Sequence, residues 1–97
     1  MSWPVTIRPR AEGDLQRAWQ WYERERRGLG EKFLAEMRQL IGSLEHQPER
    51  SPLYYRGFRR LIARRFPYKV FYRIESDRVI VFRVLHASRD HPSILRE

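Results

Sequence analysis

Apolar residues in the first half of the chain recur at intervals of three and four, which is the spacing of one face of an amphipathic helix. On the first such stripe lie Ala11, Leu15, Ala18, Trp19 and Tyr22. The pattern predicts a helix over about residues 11–27, a break at residues 28–30, and a second helix from about Phe33 to His46, where Pro48 ends it. Because so few residues join the two helices, they are expected to form an antiparallel hairpin.

The second half of the chain has the period of strands, with β-branched and aromatic residues between turn-forming residues. Strands are predicted near residues 58–63, 68–74 and 79–85, and tight turns make them an antiparallel meander. A short opening strand at residues 5–7 is expected to join one edge of this sheet. The predicted class is therefore α+β, in the order β-α-α-β-β-β, as a single domain over residues 1–97.

Two helices that cover one face of a small sheet leave the opposite face open. In the strand at residues 68–74, one side carries Tyr68, Val70 and Tyr72, and the other carries Lys69, Phe71 and Arg73. We expect the second set to lie on the open face. This face would then be basic.

Charge indicates what such a face would meet. The 97 residues have a formal net charge of +8, and only Lys32 and Lys69 are lysines, so most cations are arginines suited to phosphate or carboxylate. We therefore expect an anionic partner. The candidate residues for binding a target or nucleic acid are Arg59, Arg60, Arg64, Arg65, Lys69, Arg73, Arg83 and Arg89.

Other chemistries are poorly supported by the sequence. The chain has no cysteine, and His46, His86 and His91 have no companions at a metal-ligand spacing, so we expect no metal site. The glycines form no phosphate-binding or dinucleotide motif, so no cofactor is expected. No apolar run approaches the length of a membrane span, and the chain reads as cytoplasmic.

Several short motifs occur in a familiar order. They are an A-x-x-D-L helix opening at residues 11–15, the second helix closed by Pro48, strand segments at residues 59–61 and 68–73, and a V-L-H-x-x-R-D ending at residues 84–90. In this order and at these intervals, the chain resembles the RelE/ParE superfamily of bacterial toxins, the toxic halves of type II toxin–antitoxin pairs. The resemblance implies a cognate acidic antitoxin as partner.

The resemblance leaves three functions open. RelE-like members cut ribosome-bound mRNA, in several cases with a tyrosine near the C-terminus, whereas ParE-like members poison DNA gyrase. Ile94 and Leu95 stand where that tyrosine would be expected, which favours the gyrase-directed branch. An inactive relative that binds nucleic acid is the third possibility.

If the chain is a nuclease, RNA cleavage without a metal needs cations for the phosphate and a group that transfers a proton. Lys69 and Arg89 would then supply charge, and His86 would transfer the proton because its ordinary pKa is near neutrality. Alternatively, residues 84–90 have a purely structural role, with His86 bonding to a strand-end carbonyl and Arg89 pairing with Asp90 or with a helix end.

Overall fold

The structure, a computed structural model, describes residues 2–89 and 91–95. Five strands form one sheet in the order β1-β5-β4-β3-β2, and three helices accompany it. The strands are β1 (Val5–Ile7), β2 (Leu53–Tyr55), β3 (Phe58–Ile62), β4 (Tyr68–Glu75) and β5 (Arg78–His86). The helices are α1 (Pro9–Glu25), α2 (Leu29–Ser43) and α3 (His91–Leu95). None of the described helices is long and apolar enough to cross a membrane.

The predicted helix hairpin is confirmed, with a tighter turn than expected. Pro9 opens α1 at a position where its missing N–H costs nothing. Leu29 and Gly30 belong to the first turn of α2 rather than to a break, and only residues 26–28 separate the helices. The carboxylate of Glu23 accepts hydrogen bonds from the N–H groups of Gly28 and Gly30, each at 2.9 Å, and so closes the turn.

The helix hairpin covers one face of the sheet, as predicted from the apolar stripes. This main core includes Ala11, Ala18, Tyr22, Phe33, Met37, Ile41, Val70, Tyr72, Val79, Val81 and Val84. Tyr68 packs against its margin, so the predicted helix-facing side of β4 is confirmed. The meander is confirmed too, and β1 joins its edge beside β5 in a parallel pairing.

The expectation that the second sheet face is open was wrong. Phe58, Phe71, Leu85 and Leu95 form a second buried cluster there, and Phe71 has no exposed surface. The C-terminal segment forms the short helix α3 and places Leu95 in this cluster, while the ring of His91 lies 4.8 Å from that of Phe71. The correction has a physical cause, since apolar side chains on both faces of β4 need cover and the tail supplies it on this face.

Two local features of the sheet were not predicted. Strand β2 is joined to β3 by Arg56 and Gly57, which both have positive φ (47° and 81°), as the central residues of a type I′ hairpin turn require. In β5, the register shifts so that Phe82 is the extra residue opposite the step between Phe71 and Tyr72.

Candidate functional site

The start of β4 and the end of β5 lie side by side, and they bring together several of the candidate residues from the sequence analysis. Tyr68 and His86 are direct cross-strand partners, and their rings meet edge to face at 5.3 Å. Burial raises the pKa of Tyr68, and the Asp14 carboxylate raises it further, while the positive charge of Arg89 partly opposes both. His86 and Arg89 are therefore neighbours of the same tyrosine.

The hydrogen bonds of His86 indicate which ring nitrogen accepts a hydrogen bond. Ser88 approaches the Nδ1 atom twice, through its backbone N–H at 3.1 Å and through its Oγ at 2.8 Å. Because a backbone N–H can only donate, Nδ1 accepts, and the proton of the neutral ring is on Nε2.

The hypothesis that residues 84–90 have a purely structural role was wrong in one detail, because His86 does not use its ring to bind a strand-end carbonyl. The strand-end carbonyl is that of His86 itself, and it accepts a 2.8 Å hydrogen bond from Nε2 of His91. His91 is buried, so it is the histidine that fastens α3 to the end of β5. The expected pairing of Arg89 with Asp90 lies outside the described residues.

Lys69 does not join His86 and Arg89. It follows Tyr68 in β4, so its side chain points to the opposite sheet face, where its cross-strand partners are Ile62 and Leu85. Leu85 belongs to the cluster beneath α3. The three residues proposed for a nuclease are thus divided between two faces of the sheet.

The face that carries Lys69 also carries Arg60 and Arg73, both stacked on aromatic rings. The Arg60 guanidinium lies 3.9 Å from the centre of the Tyr54 ring, and that of Arg73 lies 4.1 Å from the centre of Phe58. Arg73 also donates a 2.8 Å hydrogen bond to the carbonyl of Arg56. Stacking of this kind holds a planar guanidinium in place and leaves the edge of Arg60 able to bind an anion, whereas the Nε atom of Arg73 is buried without a hydrogen-bond partner.

Arg59 and Arg83 are engaged in holding the fold. Arg59 donates hydrogen bonds to the carbonyls of Glu49 and Ser51, which ties the loop before β2 to the sheet. Arg83 binds the Asp14 carboxylate in a bidentate manner, with Nε–Oδ2 and Nη2–Oδ1 distances of 2.8 and 3.0 Å. These two arginines are poor candidates for a free binding surface.

Asp14 was missed as a structural residue. Its carboxylate also accepts the Val84 N–H at 2.9 Å, beyond the point where the pairing of β1 with β5 ends. The sequence held a signal, because Asp14 lies three positions after Ala11 and four before Ala18, on the buried stripe of α1. An acidic residue at such a position predicts a buried partner.

Arg64 and Arg65 occupy the turn between β3 and β4. Their backbone N–H groups donate to the Glu36 carboxylate of α2, with Arg65 at 3.1 and 3.2 Å from its two oxygens. The turn is therefore fixed while both side chains are exposed, beside a cleft of about 640 Å³ that Lys32 also lines. With the exposed Arg89, they are the predicted binding residues most accessible to a large partner.

Possible metal ligands do not gather in the described part of the chain, where no group of three or more histidine or acidic side chains could hold an ion. The chemical resources of the site are therefore cations, one histidine, a hydroxyl group and aromatic rings. Such a set suits the binding of an anionic partner, and only its His86 end offers proton transfer.

Comparison with solved structures identifies the class of protein to which this fold belongs. A structure of the chromosomal ParDE toxin–antitoxin system from P. aeruginosa matches with a TM-score of 0.81 at 15% identity, covering 90% of this chain and 98% of that chain. The toxin–antitoxin complex RelBE2 from Mycobacterium tuberculosis matches with a TM-score of 0.60 at 25% identity, covering 89% and 99%. The α+β fold is thus that of RelE/ParE superfamily toxins.

The family model described as "ParE toxin of type II toxin-antitoxin system, parDE" matches residues 5–91. The chain belongs to this ParE toxin family, as its sequence motifs predicted. No curated protein sequence matches significantly.

Proposed function

We propose that this toxin arrests growth by binding DNA gyrase in the cytoplasm and that a cognate acidic antitoxin neutralises it. Membership of the ParE family supports a toxin that acts with an antitoxin. The observation that carries the choice of a binding mechanism is the division of Lys69 and His86 between two sheet faces. A phosphate undergoing cleavage needs its cation and its proton-transfer group on the same side.

The residues near the C-terminus support the same choice. Leu95 is buried among Phe58, Phe71 and Leu85, at the position where the resemblance would place a nuclease tyrosine. A buried leucine supplies neither a hydroxyl group nor a charge. The segment therefore works as packing, and the exposed cations are left to bind a partner.

The first test is expression of the chain alone in bacteria, where we expect growth arrest that co-expression of the antitoxin relieves. Purified toxin should inhibit supercoiling by gyrase or trap cleaved DNA, and it should leave ribosome-bound mRNA intact. Unimpaired growth with well-expressed, folded protein would count against a toxic function for this chain.

A second candidate function, ribosome-dependent mRNA cleavage, is favoured by one observation, the meeting of His86 and Arg89 at the Tyr68 ring. In that case His86→Ala and Arg89→Ala should each reduce cleavage about 10²–10³-fold, and Lys69→Ala should do the same if the lysine reaches the substrate. Arg78→Ala is the matched control, because Arg78 is an exposed cation at the start of β5. Codon-phased cleavage that needs ribosomes and Arg89 would overturn the gyrase proposal.

A third candidate, an inactive relative that binds nucleic acid, is separated from the other two by the same assays. It predicts neither gyrase inhibition nor mRNA cleavage, together with salt-sensitive binding to nucleic acid. The exposed pair Arg64 and Arg65 should then dominate binding. Replacement of both by alanine would lower nucleic-acid affinity while the fold, held through their backbone by Glu36, stays intact.

A further inference from the structure

The outer edge of β3 is only partly paired. Strand β2 pairs with it from Tyr55 opposite Phe58 to Leu53 opposite Arg59, and within the described residues this ladder goes no further. Pro52 directly precedes β2 in the sequence, and it has no N–H with which to extend this ladder. Residues 60–62 of β3 therefore have a ladder neighbour on the β4 side alone.

The orientation of the backbone makes this gap a site for a strand. Ala63 donates its N–H to the Tyr68 carbonyl at 3.0 Å, so at this position the backbone points toward β4. Backbone groups alternate in direction along an antiparallel strand. The N–H and C=O of Ile62 therefore point outward, away from the sheet.

The side chains around this gap are unusually apolar for a surface. Leu53 is 64% exposed and Ile62 is 59% exposed, and with Trp21 they are the large apolar residues most exposed in the described chain. They border a groove of about 390 Å³ that is also lined by Ser51, Pro52, Tyr54, Arg60 and Leu61. A strand edge with exposed apolar side chains and no lysine to protect it is a template for pairing with another chain.

We propose that the gap beside residues 60–62 of β3 takes an extended, acidic segment of the antitoxin, which adds to the sheet as a further strand. This inference rests on the proposed function for the source of the segment. Alternate residues of the added strand would contact Leu61 on one sheet face and Ile62 on the other, because side chains alternate between faces.

Charge selects the acidic occupant over a second copy of this chain. Arg60 is the charged residue that lines the groove, and the exposed Arg64 and Arg65 follow directly after β3. Two copies paired edge to edge would bring these cations together in a chain whose net charge is already +8. Glutamate or aspartate at alternate positions would instead meet them with opposite charge.

A synthetic peptide of about eight residues, alternating glutamate with valine and blocked at both ends, is the probe. We expect it to bind the full chain with an affinity that falls with added salt, and to slow hydrogen exchange at the Ile62 amide. Arg60→Glu should weaken binding at least about tenfold, since Arg60 and Ile62 share a sheet face and the glutamates on that side of the added strand would then meet a like charge. The matched control Arg78→Glu makes the same change of charge at an exposed residue at the start of β5 and should weaken binding far less.

A second peptide of the same composition, with all glutamates before all valines, tests for strand addition as opposed to charge attraction. Equal binding of both peptides, or binding that Arg60→Glu leaves unchanged, would overturn the inference. Sedimentation of the chain alone tests whether a second copy of the chain occupies the edge instead. A dimer that dissociates in the Ile62→Lys variant would assign the edge of β3 to that second copy. None of these measurements depends on growth arrest, so the inference and the proposed function can fail separately.

Discussion

Replacing Asp14 by alanine is expected to destabilise the protein more than any other single change in its charged residues. The side chain is 6% exposed and receives hydrogen bonds from Arg83, Arg17 and the Val84 N–H. Alanine would deprive the mostly buried Arg83 of its carboxylate partner and leave the Val84 N–H without its acceptor. Breaking one side of a buried ion pair costs about 3–5 kcal/mol, and an unsatisfied buried N–H costs about 1–3 kcal/mol.

These contributions are not additive, so we expect a loss of about 3–5 kcal/mol in the free energy of unfolding. In a chain of this size that lowers Tm by at least about 12 °C. The measurement is urea denaturation followed by circular dichroism, with calorimetry for Tm. A loss below about 1 kcal/mol would refute the reasoning, because it would mean that the carboxylate does not join α1 to β5.

The two arginines that bind Asp14 provide the control. Arg83 has a side chain 13% exposed, whereas that of Arg17 is 68% exposed. Exposed ion pairs contribute at most about 1 kcal/mol, so Arg17→Met should cost little and Arg83→Met much more. In a double-mutant cycle, Asp14 should couple strongly to Arg83 and weakly to Arg17. Equal coupling to both arginines would contradict the role of burial.

Three other predictions follow from local contacts and charge. Gly30→Ala should destabilise the fold by about 1–3 kcal/mol, because its Cβ would lie 2.8 Å from the Trp19 carbonyl oxygen, whereas Gly42→Ala, with open space around it, should be neutral or stabilising in the same denaturation assay. Burial raises the pKa of Tyr72, so the neutral hydroxyl favours the folded state and the free energy of unfolding should fall as pH rises above about 10. Tyr72→Phe should weaken this pH dependence, measured by alkaline denaturation. At neutral pH the variant should lose about 1 kcal/mol of stability, because the hydrogen bond from the Tyr72 hydroxyl to the Pro48 carbonyl is absent. Antitoxin affinity should fall but not vanish between low and high salt, and complete loss in titration calorimetry would contradict an interface with buried apolar area.

Much of the fold was determined by local patterns in the sequence. The helical stripes that include Ala11, Tyr22 and Phe33 are buried as predicted. A 3.6-residue period places the apolar side chains on one face of each helix, and that face packs against the sheet. Strict alternation in β4 likewise assigned Val70 to the helix side and Lys69 to the other. The family motifs needed only residue types and spacing, so they were legible without a structure.

Contacts between distant residues were decided by the tertiary structure alone. Asp14 meets Arg83 across 69 positions, and Glu36 holds the backbone of Arg65 across 29, so no local period could reveal either. On the second face of the sheet, α3 places Leu95 in one buried cluster with Phe71, which lies 24 positions earlier in the chain. The partial pairing of β3 depends on where β2 stops, which is a property of strand register. Sequence sets which residues can be buried or charged, and the fold decides which of them meet.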